Sequence, residues 1–159
     1  MTKLPLFHST VRPEWIDYNG HMSEAYYSLV FGHATDVLMA EAGLGTAYRE
    51  STRCSLYTVE SHIRFLQDVP DAAYLAIRTR VLGAAARKAH FAHEMYVVGD
   101  SESEPAPDAL PVATTELLSV HVDQRTARAA VFPDTIRHRF TELTEPPPPW
   151  AGRSIATVA

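Results

Sequence analysis

Apolar and polar positions change period along this chain, and each change marks an element. Leu6 to Val11 is short and rich in strand formers, and Pro13 closes it, so a first strand is predicted there. Asn19-Gly20 signals a turn, because both residues tolerate positive φ. From about Ser23 to about Ala42 the period is helical. Tyr26, Leu29, Val30, Val37 and Ala40 share one face, Tyr27, Phe31, Ala34, Leu38 and Ala42 another, and Glu24, Ser28 and Thr35 form a narrow polar strip. Ser23 is the expected cap, Glu24 places an acid in the first turn, and Gly43-Leu44-Gly45 supplies the stop. A helix apolar on most sides is expected to be wrapped by other elements.

Period two then takes over. Tyr57, Val59, Ser61, Ile63 and Phe65 alternate with Thr58, Glu60, His62 and Arg64, which predicts a strand with one dry face. Leu75 to Val81, Ala89 to Val97 and about Val112 to Val122 repeat the pattern. The acidic, Pro/Ser-rich stretch Gly99 to Pro111 reads as a mobile hairpin loop without chemistry, and Phe132 to Leu143 as a short helix. Pro146 to Pro149 is restricted to extended backbone. Together these elements predict the α+β class: an antiparallel sheet of about five strands wrapped around one long central helix, the hotdog arrangement. Residues 1–145 are expected to form a single domain, with 146–159 as an extended Pro-rich tail. Such a sheet leaves an edge strand open, so a homodimer or higher homo-oligomer is expected.

Composition narrows the function classes. Of the 159 residues, 46% are hydrophobic and 21% charged, as in soluble globular domains, and no apolar run is long enough to span a bilayer. The start, Met1-Thr2-Lys3-Leu4-Pro5, carries no secretory apolar core, so cytoplasmic residence without membrane association is expected. The lone Cys54 fits a reducing compartment and reads as a small packing residue. A net charge of −5 disfavours nucleic acid as a partner.

Candidate chemistry centres on Trp15-Ile16-Asp17-Tyr18-Asn19-Gly20-His21-Met22, which sets a lone carboxylate beside a helix start. Asp17, flanked by Trp15, Ile16 and Tyr18 that would reduce its hydration, is a candidate base or nucleophile, although capping is an equally ordinary use of aspartate. The open N–H groups of the first helical turn are suited to receive negative charge developing on a substrate oxygen. His21 can orient substrate or shuttle a proton. Glu60 shares a face with His62 and Arg64, a solvated set unless that face lines a dimer groove. His90 and His93 lie three apart on a strand and so point to opposite faces, which argues against a shared metal ion; no cofactor is implied. Arg64, Arg78, Arg80 and Arg87-Lys88 are candidate contacts for a nucleotide-like tail. The aromatic residues Trp15, Tyr18, Tyr26, Tyr27, Phe31 and Tyr57 are mostly expected in the core or an interface, while two or three of them could cage a quaternary ammonium group.

The pattern Asp17-x-x-Gly20-His21 followed by Tyr27 resembles the 4-hydroxybenzoyl-CoA thioesterase-like hotdog family, with Met22, Ser23 and Glu24 where that family usually has Val, Asn and Asn. Val11 to Met22, Phe31 to Asp36, Tyr57 to Arg64 and Val120 to Asp123 are similar to the betainyl-CoA thioesterases of bacterial carnitine breakdown, which occur alone or fused to L-carnitine dehydrogenase. The resemblance implies hydrolysis of a small acyl-CoA, betainyl-CoA foremost, with Asp17 as general base or nucleophile and the backbone N–H of Glu24 as oxyanion donor. It places His21, Asn19 and Glu60 near the thioester; the density of aromatic residues, rather than the resemblance, makes Trp15, Tyr18, Tyr27 and Tyr57 candidate substrate contacts. A hotdog enoyl-CoA hydratase and a non-catalytic acyl-CoA-binding module are the competing readings.

Overall fold

The computed structural model describes residues 3–158; Met1, Thr2 and Ala159 lie outside them. Four-residue β1 (Phe7–Thr10) ends before a 3-10 turn at Pro13–Trp15, and α1 (Glu24–Glu41) follows the Asn19-Gly20 turn. The chain continues through α2 (Thr46–Thr52), β2 (Cys54–Phe65), β3 (Tyr74–Ala84), β4 (Lys88–Val98), β5 (Ala113–Asp123), β6 (Arg128–Ala129) and α3 (Asp134–Leu143). The sheet has the order β1-β3-β4-β5-β2, with β6 added beside β5, and every pair is antiparallel. The hotdog fold predicted from the periodicity is the fold observed.

One face of α1 is buried because Tyr27, Val30, Phe31, Ala34 and Leu38 recur at helical spacing. They enter two apolar clusters. The first joins Tyr27, Val30 and Phe31 to Leu75, Ile77 and Met95 on the sheet; the second joins Leu38 and Met39 to Val81, Phe91 and the α3 residues Ile136 and Phe140. Each such side chain contributes roughly 1.5–3 kcal/mol when taken from water.

Several local expectations need correction. Ser23 makes no side-chain capping bond. The helix is not wrapped on most sides within one chain: Ser28, Leu29, Gly32, Asp36 and Ala40 are exposed, whereas Thr35, placed in the polar strip, turns inward and bonds His93 at 2.9 Å. Besides the long helix there are α2 and α3; α2 buries no residue and so carries no periodic signal. The Gly99 to Pro111 loop is tied to the sheet, because the His8 ring and the Ser103 carbonyl lie 3.0 Å apart.

The largest departure lies in β2. The register pairs Thr58 with Ser119 but Glu60 with Leu118, so Val59 is an extra residue, a β-bulge. The bulge moves the dry face over by one residue. Leu56 and Thr58 face α1 before it, and Ser61 and Ile63 after it. Tyr57, predicted on that face, lies instead on the outer side with Glu60 and His62, and Thr58 leaves the set that contains Glu60.

The outer face of the sheet is crossed by the chain that follows α3. Glu145 accepts from Arg80 at 2.8 Å and from Arg78 at 3.2 Å, Trp150 donates to Glu94 at 3.2 Å, and the backbone of Gly152 donates to Glu116 at 2.6 Å. Burial, aided by the Glu94 carboxylate, pushes the Tyr96 hydroxyl up to about 12. Arg78 and Arg80, candidate phosphate ligands from sequence, are thus engaged with carboxylates of their own chain.

Candidate active site

The approach to α1 is a small hairpin. Ile16 and Met22 form an antiparallel bridge, the Asp17 N–H donates to the His21 carbonyl at 3.1 Å, and the Gly20 N–H donates to the Asp17 carbonyl at 3.0 Å. Gly20 has φ of +81°, a left-handed conformation in which a side chain would be strained. The backbone N–H of Asn19 donates to Asp17 Oδ1 at 2.8 Å, which holds one carboxylate oxygen and leaves the other available. Ser23 N–H donates to the Trp15 carbonyl at 2.9 Å, and Met22 N–H to the Val69 carbonyl at 2.8 Å, so the hairpin is bolted to both the 3-10 turn and the segment after β2. Asp17 and His21 therefore stand opposite one another where α1 begins.

Without a side-chain cap, the N–H groups at the start of α1 remain directed out of the helix end. Beside them opens a cavity of about 270 Å³, lined by Met22, Glu24, Tyr27, Phe65, Gln67 and Asp68 among others. Tyr27 is buried with its ring edge-on to Phe65, centroids 5.0 Å apart, and its hydroxyl is 3.5 Å from the Gln67 carbonyl. Burial, with the Asp68 charge next in size, raises the Tyr27 hydroxyl above its ordinary range. His21 Nδ1 lies 3.7 Å from Asp68 Oδ2.

Other sequence candidates go elsewhere. Trp15 and Tyr26 stack on each other at 5.3 Å, and the Arg12 guanidinium sits 5.6 Å from the Trp15 ring centroid, so Trp15 is already engaged by neighbours of its own chain. Tyr18 is 97% exposed and shields nothing, which removes the expected desolvation of Asp17 from that side. Asn19 is exposed at the hairpin tip. Glu60 lies on the outer face, in a cavity shared with His62, His90 and Glu116. Tyr57 is on the same outer side, receiving a hydrogen bond from Gln124 at 3.1 Å. Of the six aromatic candidates, Tyr18 stands in solvent and Tyr57 lies on the outer side of the sheet, so neither joins Trp15, Tyr26, Tyr27 and Phe31 within one chain. His93 is fully buried and His90 half-exposed, on opposite faces of β4, as their spacing requires. Phe65, Gln67 and Asp68 were not picked out from sequence. Their only signal was position, since the end of a strand antiparallel to a helix must meet the start of that helix.

Residues 11–140 match the Thioesterase-like superfamily. The chain belongs to that superfamily. A betainyl-CoA thioesterase of Pseudomonas aeruginosa is 36% identical over 96% of this chain and 94% of its own length. A bifunctional L-carnitine dehydrogenase/betainyl-CoA thioesterase of Agrobacterium fabrum is 36% identical over 98% of this chain, which spans 31% of that longer protein. Among solved structures, a Staphylococcus aureus protein in complex with CoA superposes with a TM-score of 0.83 at 22% identity, covering 99% of this chain and 98% of the other, and shows the shared fold. In this thioesterase-like chain no described helix is long and apolar enough to cross a membrane.

Proposed function

We propose that this acyl-CoA thioesterase hydrolyses betainyl-CoA to glycine betaine and CoA, as a step in carnitine breakdown. The observation that carries the reading is a carboxylate, Asp17, held by a hairpin at the uncapped start of α1, in a chain that matches a betainyl-CoA thioesterase along nearly its whole length. Family membership favours thioester hydrolysis over hydration of an enoyl-CoA and over binding without turnover.

In this reading the thioester carbonyl oxygen approaches the backbone N–H of Glu24, where the helix start stabilises the negative charge of the tetrahedral intermediate. Asp17 takes a proton from an attacking water, or attacks the carbonyl carbon itself to form a mixed anhydride that water then opens. Either route expels the CoA thiolate, which is protonated on release. His21, across the hairpin from Asp17, orients the reacting groups. The chemistry needs substrate and water alone. Release of free thiol from betainyl-CoA tests the proposal; wild-type protein that binds the ester and liberates no thiol would remove it.

The working form is a pair of chains. β2 is an edge strand of 12 residues, and Tyr57 and Val59 along it are exposed, an edge that a soluble protein rarely leaves open. Pairing of two copies along β2 also covers the exposed side of α1, where Leu29 is 42% accessible. Light scattering on the eluted protein is expected to give at least twice the chain mass of 17.6 kDa. A single-chain mass at micromolar concentration contradicts this part of the reading.

A further inference from the structure

The cavity beside the start of α1 has a composition that suits one class of acyl group. Its lining offers two carboxylates, Glu24 and Asp68, the carbonyl of Gln67 and the aromatic pair Tyr27 and Phe65, and no lysine or arginine among the described residues. Phe65 is half exposed, a large ring left open at the mouth of a cavity rather than packed away. At about 270 Å³ the space is at the small end of ligand pockets and suits a short acyl group.

We propose that this cavity is the subsite for the cationic end of the acyl group, with the open face of Phe65 and the Asp68 carboxylate as the residues that select it; the assignment rests on the thioesterase reading above. In a trimethylammonioacetyl thioester the nitrogen is two bonds from the carbonyl carbon. If the carbonyl oxygen meets the Glu24 N–H, the ammonium nitrogen lies within about 7 Å of the Glu24 nitrogen, and Tyr27 is about 4.5 Å further along the helix axis than Glu24. The helix start carries a partial positive charge of about half a unit that repels a cation, so the flanking carboxylates are needed to reverse the local field. Asp68 does act on this space, since its charge contributes to the raised Tyr27 hydroxyl. Trimethylammonium groups carry no N–H, so ring faces and carboxylates suit them better than hydrogen-bond acceptors of fixed direction.

The test compares betainyl-CoA with its neutral isostere, the tert-butylacetyl ester, in which carbon replaces the charged nitrogen. Wild-type protein is expected to favour the cation by at least about tenfold in kcat/KM, and Phe65→Leu and Asp68→Asn each to cut that preference by about fivefold, a typical size for one cation–aromatic or cation–carboxylate contact, through a larger loss on the cation than on the isostere. Equal wild-type rates on the two esters overturn the subsite and leave the thioesterase reading standing. Equal losses on both esters in the variants show a structural role and also overturn it. Protein that cleaves neither ester removes the thioesterase reading, and the subsite with it.

Discussion

Asp17→Asn is expected to lower turnover of betainyl-CoA by at least about a hundredfold, the usual scale for loss of an acid–base group, while the fold survives. The amide keeps an oxygen that accepts from the Asn19 N–H, so the hairpin that positions it need not change. What it loses is negative charge and basicity, the two properties that either route through Asp17 requires. Thermal unfolding and circular dichroism should match wild type, so that the loss is read as chemistry. Near-normal turnover in this variant would show that Asp17 is a turn-former and nothing more.

Below neutral pH the folded state should weaken because of His93, which is fully buried and held neutral. Thr35 donates its hydroxyl to the Phe31 carbonyl at 3.1 Å, so its oxygen is free to accept from His93 Nε2; His93 Nδ1 then accepts from Thr79, 2.9 Å away. Loss of solvent pushes the imidazole down to about 3 from an ordinary 6.5. Between those values the unfolded chain binds a proton that the folded chain does not, so stability rises with pH through this window and is lost as pH falls. Each unit is worth about 1.4 kcal/mol, which puts the cost at about 3 kcal/mol by pH 4. Asp100 and Asp123, whose carboxyls lie below their usual range through hydrogen bonds from Glu102 and Arg125, also weaken the fold in acid, so the comparison must be made against a His93→Gln variant. Urea unfolding of wild type should show the steeper dependence on pH between 6.5 and 4. Parallel curves for the two proteins would contradict the assignment.

Periodicity carried most of the architecture. α1 and the four long strands arise where helical or alternating patterns are strong, and the spacing of His90 and His93 already put them on opposite faces of one strand. The bulge at Val59 was invisible, because Tyr57 to Phe65 alternates without a break and only the pairing with β5 shows that two residues oppose one. α2 was missed because it buries nothing. At the site, Asn19-Gly20 announced the hairpin that sets Asp17 opposite His21, a local effect. Phe65 and Asp68 reach the start of α1 only through the antiparallel course of β2 under the helix, a contact across some forty residues that no local pattern records. Likewise Trp15 and Tyr26 satisfy each other by stacking, and composition does not say which partner an aromatic ring takes.

The bulge also bears on how the gene can change length. With Val59 removed, Thr58 and Glu60 would become neighbours opposite Ser119 and Leu118, which are neighbours already, so β2 would regain a regular ladder. Every side chain would stay on its present side, with Ser61 and Ile63 toward α1 and Glu60 and His62 away from it. Loss of a residue further along, such as His62, would instead set up a second mismatch and turn over the segment that ends in Phe65. A one-codon gap at position 59 is therefore the length change that this strand can absorb.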